Sequence, residues 1–209
     1  MNLLNLFISF AASFALLLVA MTVHEFAHGL VAYKLGDSTA RLSGRLTLNP
    51  LAHIDLFWTI LLPLVLFLTT AGNFVFGAAK PVLVNYWSLK NPKRDMVWIG
   101  LAGPAANFIL AFIIAGILRV IPVRGLSGYL FFNLLTINVV LAIFNLIPIP
   151  PLDGSKILIG ILPEQLSRQY ASLERYGFII LFLFIWLGIF DHLLWPLVGA
   201  VIRMMGVGY

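Results

Sequence analysis

The sequence predicts an all-α polytopic membrane protein with about five to six membrane segments, a small β-hairpin and edge-strand element, and a re-entrant or out-and-back unit. Three observations carry that expectation. Of 209 residues, 61% are hydrophobic and only 10% charged, whereas a soluble domain carries about 25% charged residues. The apolar residues gather into runs that approach the roughly 20 residues a helix needs to cross a bilayer. Ionisable side chains also fall within an apolar setting, and at membrane depth an unpartnered one costs several kcal/mol.

The apolar runs lie at about 3–33, 54–70, 96–120, 128–147, 174–190 and 191–206. The first lacks the basic leader and cleavage region of a signal peptide, so it reads as a membrane helix. The last two are divided only by Asp191, His192 and Pro196 and read equally well as one broken element. Among the connections, 38–48 alternates around Gly44, which predicts a β-hairpin. The stretch 73–86 is rich in Val and aromatics, with Gly77 and Pro81, and predicts an edge strand open to a second extended chain. Length and the absence of repeats suit one integral-membrane domain over 1–209, with a core at about 20–160 and C-terminal segments at about 174–206. Zero Cys excludes disulfides and thiolate metal sites. The net charge of +5 fits the Lys and Arg of cytoplasmic loops, and no basic patch interleaved with aromatics suggests nucleic acid.

The chemistry is concentrated in "MTVHEFAHGL", residues 21–30, which follows a stretch free of charged side chains. His24 and His28 are four apart, so on a helix both imidazoles project from one face and can reach one Zn²⁺. Glu25, beside the first ligand, is placed to take a proton from a water that the metal acidifies. Three polar residues packed in a helix bundle would be the plainer reading, but so apolar a segment makes unpartnered ones costly.

A catalytic zinc site takes three protein ligands and keeps one position open. His53, His192 and Asp153 are the candidates for the third. Asp153 lies in "NLIPIPPLDGSKIL", where Pro148, Pro150 and Pro151 force the chain out of helix and Gly154 permits a tight turn. Unwound backbone at membrane depth survives only inside protein or against a wet cavity, which favours Asp153 as a ligand. Capping of the helix that follows is its competing role.

HExxH in a membrane helix, then AGPxxN (Ala102 to Asn107) and NxxPxPxxDG (Asn145 to Gly154), resembles the site-2 protease family of intramembrane zinc metalloproteases. The resemblance is closest to its short bacterial and archaeal branch without PDZ or CBS domains, and covers about residues 20–160. It implies one zinc per chain, bound by His24, His28 and Asp153, with Glu25 as general base. It places Asn145 near the reaction centre, where a side-chain NH₂ could stabilise an oxyanion. It also makes His53, in an NPxxHID stretch, a site-adjacent residue. Asn107 and Asn138 either line the site or bond across helices, as Asn commonly does in membranes, whereas His192 reads as interfacial. The substrates implied are single-span membrane proteins such as anti-sigma factors, cut within the lipid bilayer of a prokaryotic cell. The alternative is a non-catalytic membrane zinc-binding or transport protein, which would not need Glu25 and would usually show inverted repeats.

For His28 and Asp153 to meet, the chain between 51 and 95 must return to the side from which it entered. Lys34, Arg41, Arg45, Lys80, Lys90, Lys93, Arg94, Lys156, Arg168 and Arg175 then share one side, against Arg119 and Arg124 on the other. Four full crossings would instead leave Lys34, Arg41, Arg45, Arg119 and Arg124 facing seven. The positive-inside rule prefers the first arrangement, with the N-terminus outside and the site towards the cytoplasmic half.

Overall fold

The structure, a computed structural model, describes residues 3–70 and 77–207. It is all-helical, and its centre is three long helices: α1 (Leu3–Lys34), then, after two short intervening α-helices, α4 (Pro92–Val120) and α5 (Gly125–Asn145). The spans Phe7–Lys34, Pro92–Val120 and Gly125–Asn145 are long and apolar enough to cross a membrane. At 1.5 Å per residue even the shortest measures roughly 30 Å, the thickness of a bilayer's hydrocarbon core.

The expectation of five to six membrane segments is corrected by the lengths of the other elements. The run at 54–70 is a π-helical turn, Leu56–Leu61, continuing into α3 (Leu62–Thr69). Asp55 starts it by accepting the amides of Phe57 and Trp58. Together these span roughly 21 Å, too short for a crossing. The C-terminal runs form α8 (Gly177–Trp186) and α9 (Ile189–Met204), which follow α6 (Asp153–Ile161) and α7 (Glu164–Ala171). Gly188, at φ +68°, breaks the chain between α8 and α9, and the stretch Glu164–Trp186 is bent by 79° against α9. That pair makes at most a fourth, broken span.

No strand occurs among the described residues, so the β-hairpin at 38–48 is also corrected. Its first residues form a helical turn, α2 (Thr39–Leu42), because the Asp37 carboxylate accepts the Thr39 amide and hydroxyl. Gly44, at φ +70°, ends that turn as a left-handed residue just past it and is no hairpin tip. Residues 73–76 of the expected edge strand, like the 71–73 connection, lie outside the described residues. The remainder, 77–85, is extended but pairs with no strand. Its amides donate to the carbonyls of Trp58 (from Ala78, 3.1 Å) and His53 (from Lys80, 2.8 Å) and to side chains. Gly77 sits against Pro63 and Trp58, so the chain that leaves along α3 has come back to its own start.

Asp37 fastens the far end of this segment by accepting the Asn85 amide at 2.7 Å. Burial pushes its carboxyl up, but the Thr39 hydroxyl and amide and the Asn85 amide outweigh that and hold it below its ordinary 3.8. A carboxyl depressed by folding stabilises above its unfolded value and loses that contribution as pH falls through the folded one. The clamp is therefore intact at neutral pH.

Helix α4 is the hub, packing against α1, α5 and α6. Ala111, Ile114 and Ala115 of α4 meet Leu135 and Val139 of α5 and Leu194, Val198 and Ile202 of α9 in the largest apolar cluster. Towards its start, Met96 and Ile99 close on Ala32 of α1 and Leu89. Glycines let α6 approach as closely as it does. A Cβ on Gly160 would lie 2.6 Å from the Lys93 carbonyl of α4, and one on Gly154 would fall on the Leu146 and Ile147 carbonyls.

Gly154→Ala should therefore lower stability by about 1–3 kcal/mol, the usual range for overpacking. Gly116→Ala, in the open on α4, should be neutral or stabilising by up to about 1 kcal/mol. Thermal unfolding of the two variants in detergent checks the contrast.

Candidate metal centre

The packing of α4 against α1, and of α6 against α4, brings three donors together. His24 and His28 lie one turn apart near the end of α1, and Asp153 is the first residue of α6. Asp153 Oδ2 lies 2.9 Å from His24 Nε2 and 3.0 Å from His28 Nε2, and the two Nε2 atoms are 3.0 Å apart. All three residues are at most 6% exposed. The Asp153 carboxylate serves side chains with both oxygens, Oδ2 facing the imidazoles and Oδ1 the Lys156 ammonium.

The outer edges of both rings are fixed. His28 Nδ1 lies 2.6 Å from the Ile99 carbonyl, which can only accept, so Nδ1 carries the proton. His24 Nδ1 lies 2.6 Å from Asn107 Oδ1. The Asn107 amide is oriented by its own Nδ2, which donates to the Ala20 carbonyl (3.1 Å) and to Asn138 Oδ1 (2.7 Å). His24 Nδ1 is therefore also a donor. In the neutral imidazoles both Nε2 atoms are then lone pairs facing a carboxylate oxygen. Three converging acceptors repel unless a cation sits among them. An imidazole pair with preset tautomers and one carboxylate is a donor set that suits Zn²⁺.

Gly103 makes the arrangement possible. A Cβ at that position of α4 would collide with Nε2 of both histidines. The glycine of the AGPxxN motif thus clears the space beside the donors, and its asparagine, one turn on, holds the first ring.

Glu25, His24, His28 and Asp153 open onto a cavity of about 390 Å³. Its walls are mainly apolar: Leu17 and Met21 of α1, Ile99, Leu141, Phe144 and Leu181, with Val82 and Val84 of the extended segment. The Glu25 carboxylate accepts the Val82 amide at 2.8 Å. Trp58 and Phe178 stack at 5.6 Å between ring centres and line the same space. Asn145 lines it too, with its Nδ2 donating to the Leu141 carbonyl at 3.0 Å. His53 stands apart: it is buried, with Nε2 on the Thr47 carbonyl, and does not join the donor group. His192 is exposed at the start of α9. Lys156, one turn after Asp153 and facing the same cavity, was not among the expected site residues. The i,i+3 spacing of an acid and a base at the start of a helix was its only signal in the sequence.

Two variants probe this geometry. Gly103→Ala should abolish stoichiometric zinc, because the methyl occupies the space in front of the donors. Asn107→Leu, which frees the His24 ring, should weaken zinc by about 10–100-fold, the usual effect of losing an outer-sphere partner. Metal content and chelator competition on purified protein measure both.

Comparison with known proteins identifies a family. The chain matches Peptidase family M50 over residues 12–124 and 122–188. It is 39% identical over 193 residues to "Putative zinc metalloprotease YwhC" of Bacillus subtilis, covering 88% of this chain and 84% of that one. It is 31% identical over 168 residues to "Putative zinc metalloprotease Rip2" of Mycobacterium tuberculosis, covering 78% and 62% respectively. To "Zinc metalloprotease MJ0392" of Methanocaldococcus jannaschii it is 29% identical over 175 residues, with 83% of this chain but only 40% of that one. The chain thus spans less than two thirds of the mycobacterial and archaeal relatives. No solved structure gives a significant match. With its membrane-length helices, its HExxH donors and these relatives, the chain belongs to peptidase family M50, as a multi-pass membrane metalloprotease.

Proposed function

We propose that this protein is an intramembrane zinc metalloendopeptidase that hydrolyses peptide bonds within or next to the membrane segments of single-span proteins. The observation that carries the reading is the meeting of His24, His28 and Asp153 beside Glu25 in one mainly apolar cavity, built on helices of membrane length. His24 Nε2, His28 Nε2 and Asp153 Oδ2 would hold the zinc. When bound, the ion supplies a Lewis acid that acidifies water and polarises a carbonyl.

The remaining chemistry falls to the chain. Glu25 takes the proton released as water adds to the scissile carbonyl carbon. It passes that proton to the amide nitrogen as the C–N bond breaks, leaving a carboxylate and an amine. The Asn145 NH₂ is a donor for the oxygen that gains charge. A substrate helix must unwind before its carbonyl is accessible. The extended segment 77–85, beside Glu25 and free of strand partners among the described residues, suits main-chain pairing with the unwound stretch. Helix instability, more than side-chain identity, then decides what is cut. The N-terminus lies outside and the site towards the cytoplasmic half, a placement supported by the basic residues from Lys34 to Arg175, ten on one side against two.

Glu25→Gln should retain zinc and lose cleavage of a single-span substrate by at least about 10²-fold, the usual contribution of a general base. Zinc retained by both proteins with no cleavage by the unmodified chain would favour the binding or transport alternative. A reporter fused at 122–127 should report an extracytoplasmic location. A cytoplasmic signal there would overturn the orientation.

A further inference from the structure

Lys156 holds one oxygen of Asp153. Its Nζ lies 2.8 Å from Oδ1, while Oδ2 faces the two imidazoles at 2.9 and 3.0 Å. The two ends of a single carboxylate are thus divided between a fixed cation and the donor cluster. The geometry behind this is rigid. Asp153 and Lys156 are one turn apart in the first turns of α6, so their side chains stack on one face. Gly100 of α4 lies against that face, where a Cβ would come within 3.3 Å of Lys156 Cβ and 3.1 Å of the Asp153 carbonyl. The bare backbone of α4 therefore fits against the lysine's first carbon, and the ammonium opens onto the cavity beside Glu25.

The Lys156 side chain keeps 38% of its surface exposed, and an i,i+3 ion pair of so exposed a lysine adds little helix stability by itself. A carboxylate, by contrast, can give a metal one oxygen or two. Two from Asp153, added to two nitrogens, would crowd the position that a hydrolytic site must leave open, and a water held there would then raise the ion above four-coordinate. We propose that Lys156 is a positioning residue that reserves Oδ1, so that Asp153 offers the metal Oδ2 alone and the fourth position stays free for water and substrate.

The proposal rests on the metal reading of His24, His28 and Asp153, and the experiment separates the two. Purified protein is loaded with Co²⁺ in place of zinc, and its visible absorption, which is intense for four-coordinate and weak for higher-coordinate cobalt, is recorded for the unmodified chain, Lys156→Met, Lys156→Arg and Asp153→Ala. Lys156→Met should bind one equivalent of Co²⁺ but lose the intense bands, and Lys156→Arg should restore them. In parallel, kcat on a single-span substrate should fall at least about tenfold in Lys156→Met with KM nearly unchanged, as expected for an interaction needed only at the chemical step. An unaltered spectrum and kcat in Lys156→Met, with only a lower melting temperature, would overturn the proposal and leave an ordinary ion pair. A Lys156→Arg spectrum as weak as that of Lys156→Met would also overturn it. If Asp153→Ala binds Co²⁺ with the unmodified spectrum, the metal reading itself fails. Should Lys156→Met not survive purification, Lys156→Gln carries the same measurement.

Discussion

Three hydrogen-bond acceptors pointed at one another inside a largely apolar bundle are the constraint on which the rest of this structure turns. His24, His28 and Asp153 cannot share that space as bare lone pairs, and burial removes the water that would otherwise separate them. The surrounding structure meets the demand from outside. Ile99 and Asn107 on α4 take the outer proton of each ring, Asn138 on α5 orients Asn107, and Lys156 holds the second oxygen of Asp153. Each partner comes from a different turn or helix, so the bundle is fixed by the polar groups it must satisfy as much as by its apolar packing.

Close approach follows from the same demand. Helices in lipid gain little from burying apolar surface against one another, so small residues that let backbones touch take on that role. Here they are also the residues that make the site. Gly103 leaves room in front of the histidines, Gly100 seats the stem of Lys156, and Gly154 and Gly160 press α6 against its neighbours. The packing of α4 on α1 and α6 therefore carries the donor cluster as well as part of the fold.

The extended segment 77–85 joins the polypeptide outside the long helices to the chemistry. Asp37 holds one end through the Asn85 amide, the carbonyls of His53 and Trp58 hold the other, and the Val82 amide meets Glu25 between them. His53 thus bears on the site through its backbone, with its ring turned to Thr47. The π-helical start at Leu56 places Trp58 over the cavity, where Phe178 of α8 completes the wall. The two elements too short to cross a membrane are in this way the ones that shape access to the cavity.

The sequence by itself determined what local pattern can determine. A run of apolar residues fixes a long helix wherever its backbone bonds close internally, so α1, α4 and α5 were legible almost to their ends. Imidazoles four apart fix a shared helix face, and prolines before an aspartate fix an unwound presentation, so His24, His28, Glu25 and Asp153 were legible too. Only the tertiary structure decided the rest, because the deciding bonds join residues far apart in the chain or replace a local preference with another. The alternation at 38–48 was overridden when the Asp37 side chain captured Thr39 and started a helical turn. The run at 54–70 was shortened by its return towards Trp58, and α8 and α9 were separated by one left-handed glycine. Asn107, read as structural as readily as functional, acquired its place at the His24 ring only when α4 packed on α1. Lys156 had no meaning in the sequence beyond its spacing, since a lysine one turn from an aspartate forms ordinary surface ion pairs on countless helices. What it does here depends on which oxygen of Asp153 is left over once two histidines from another helix have taken the first.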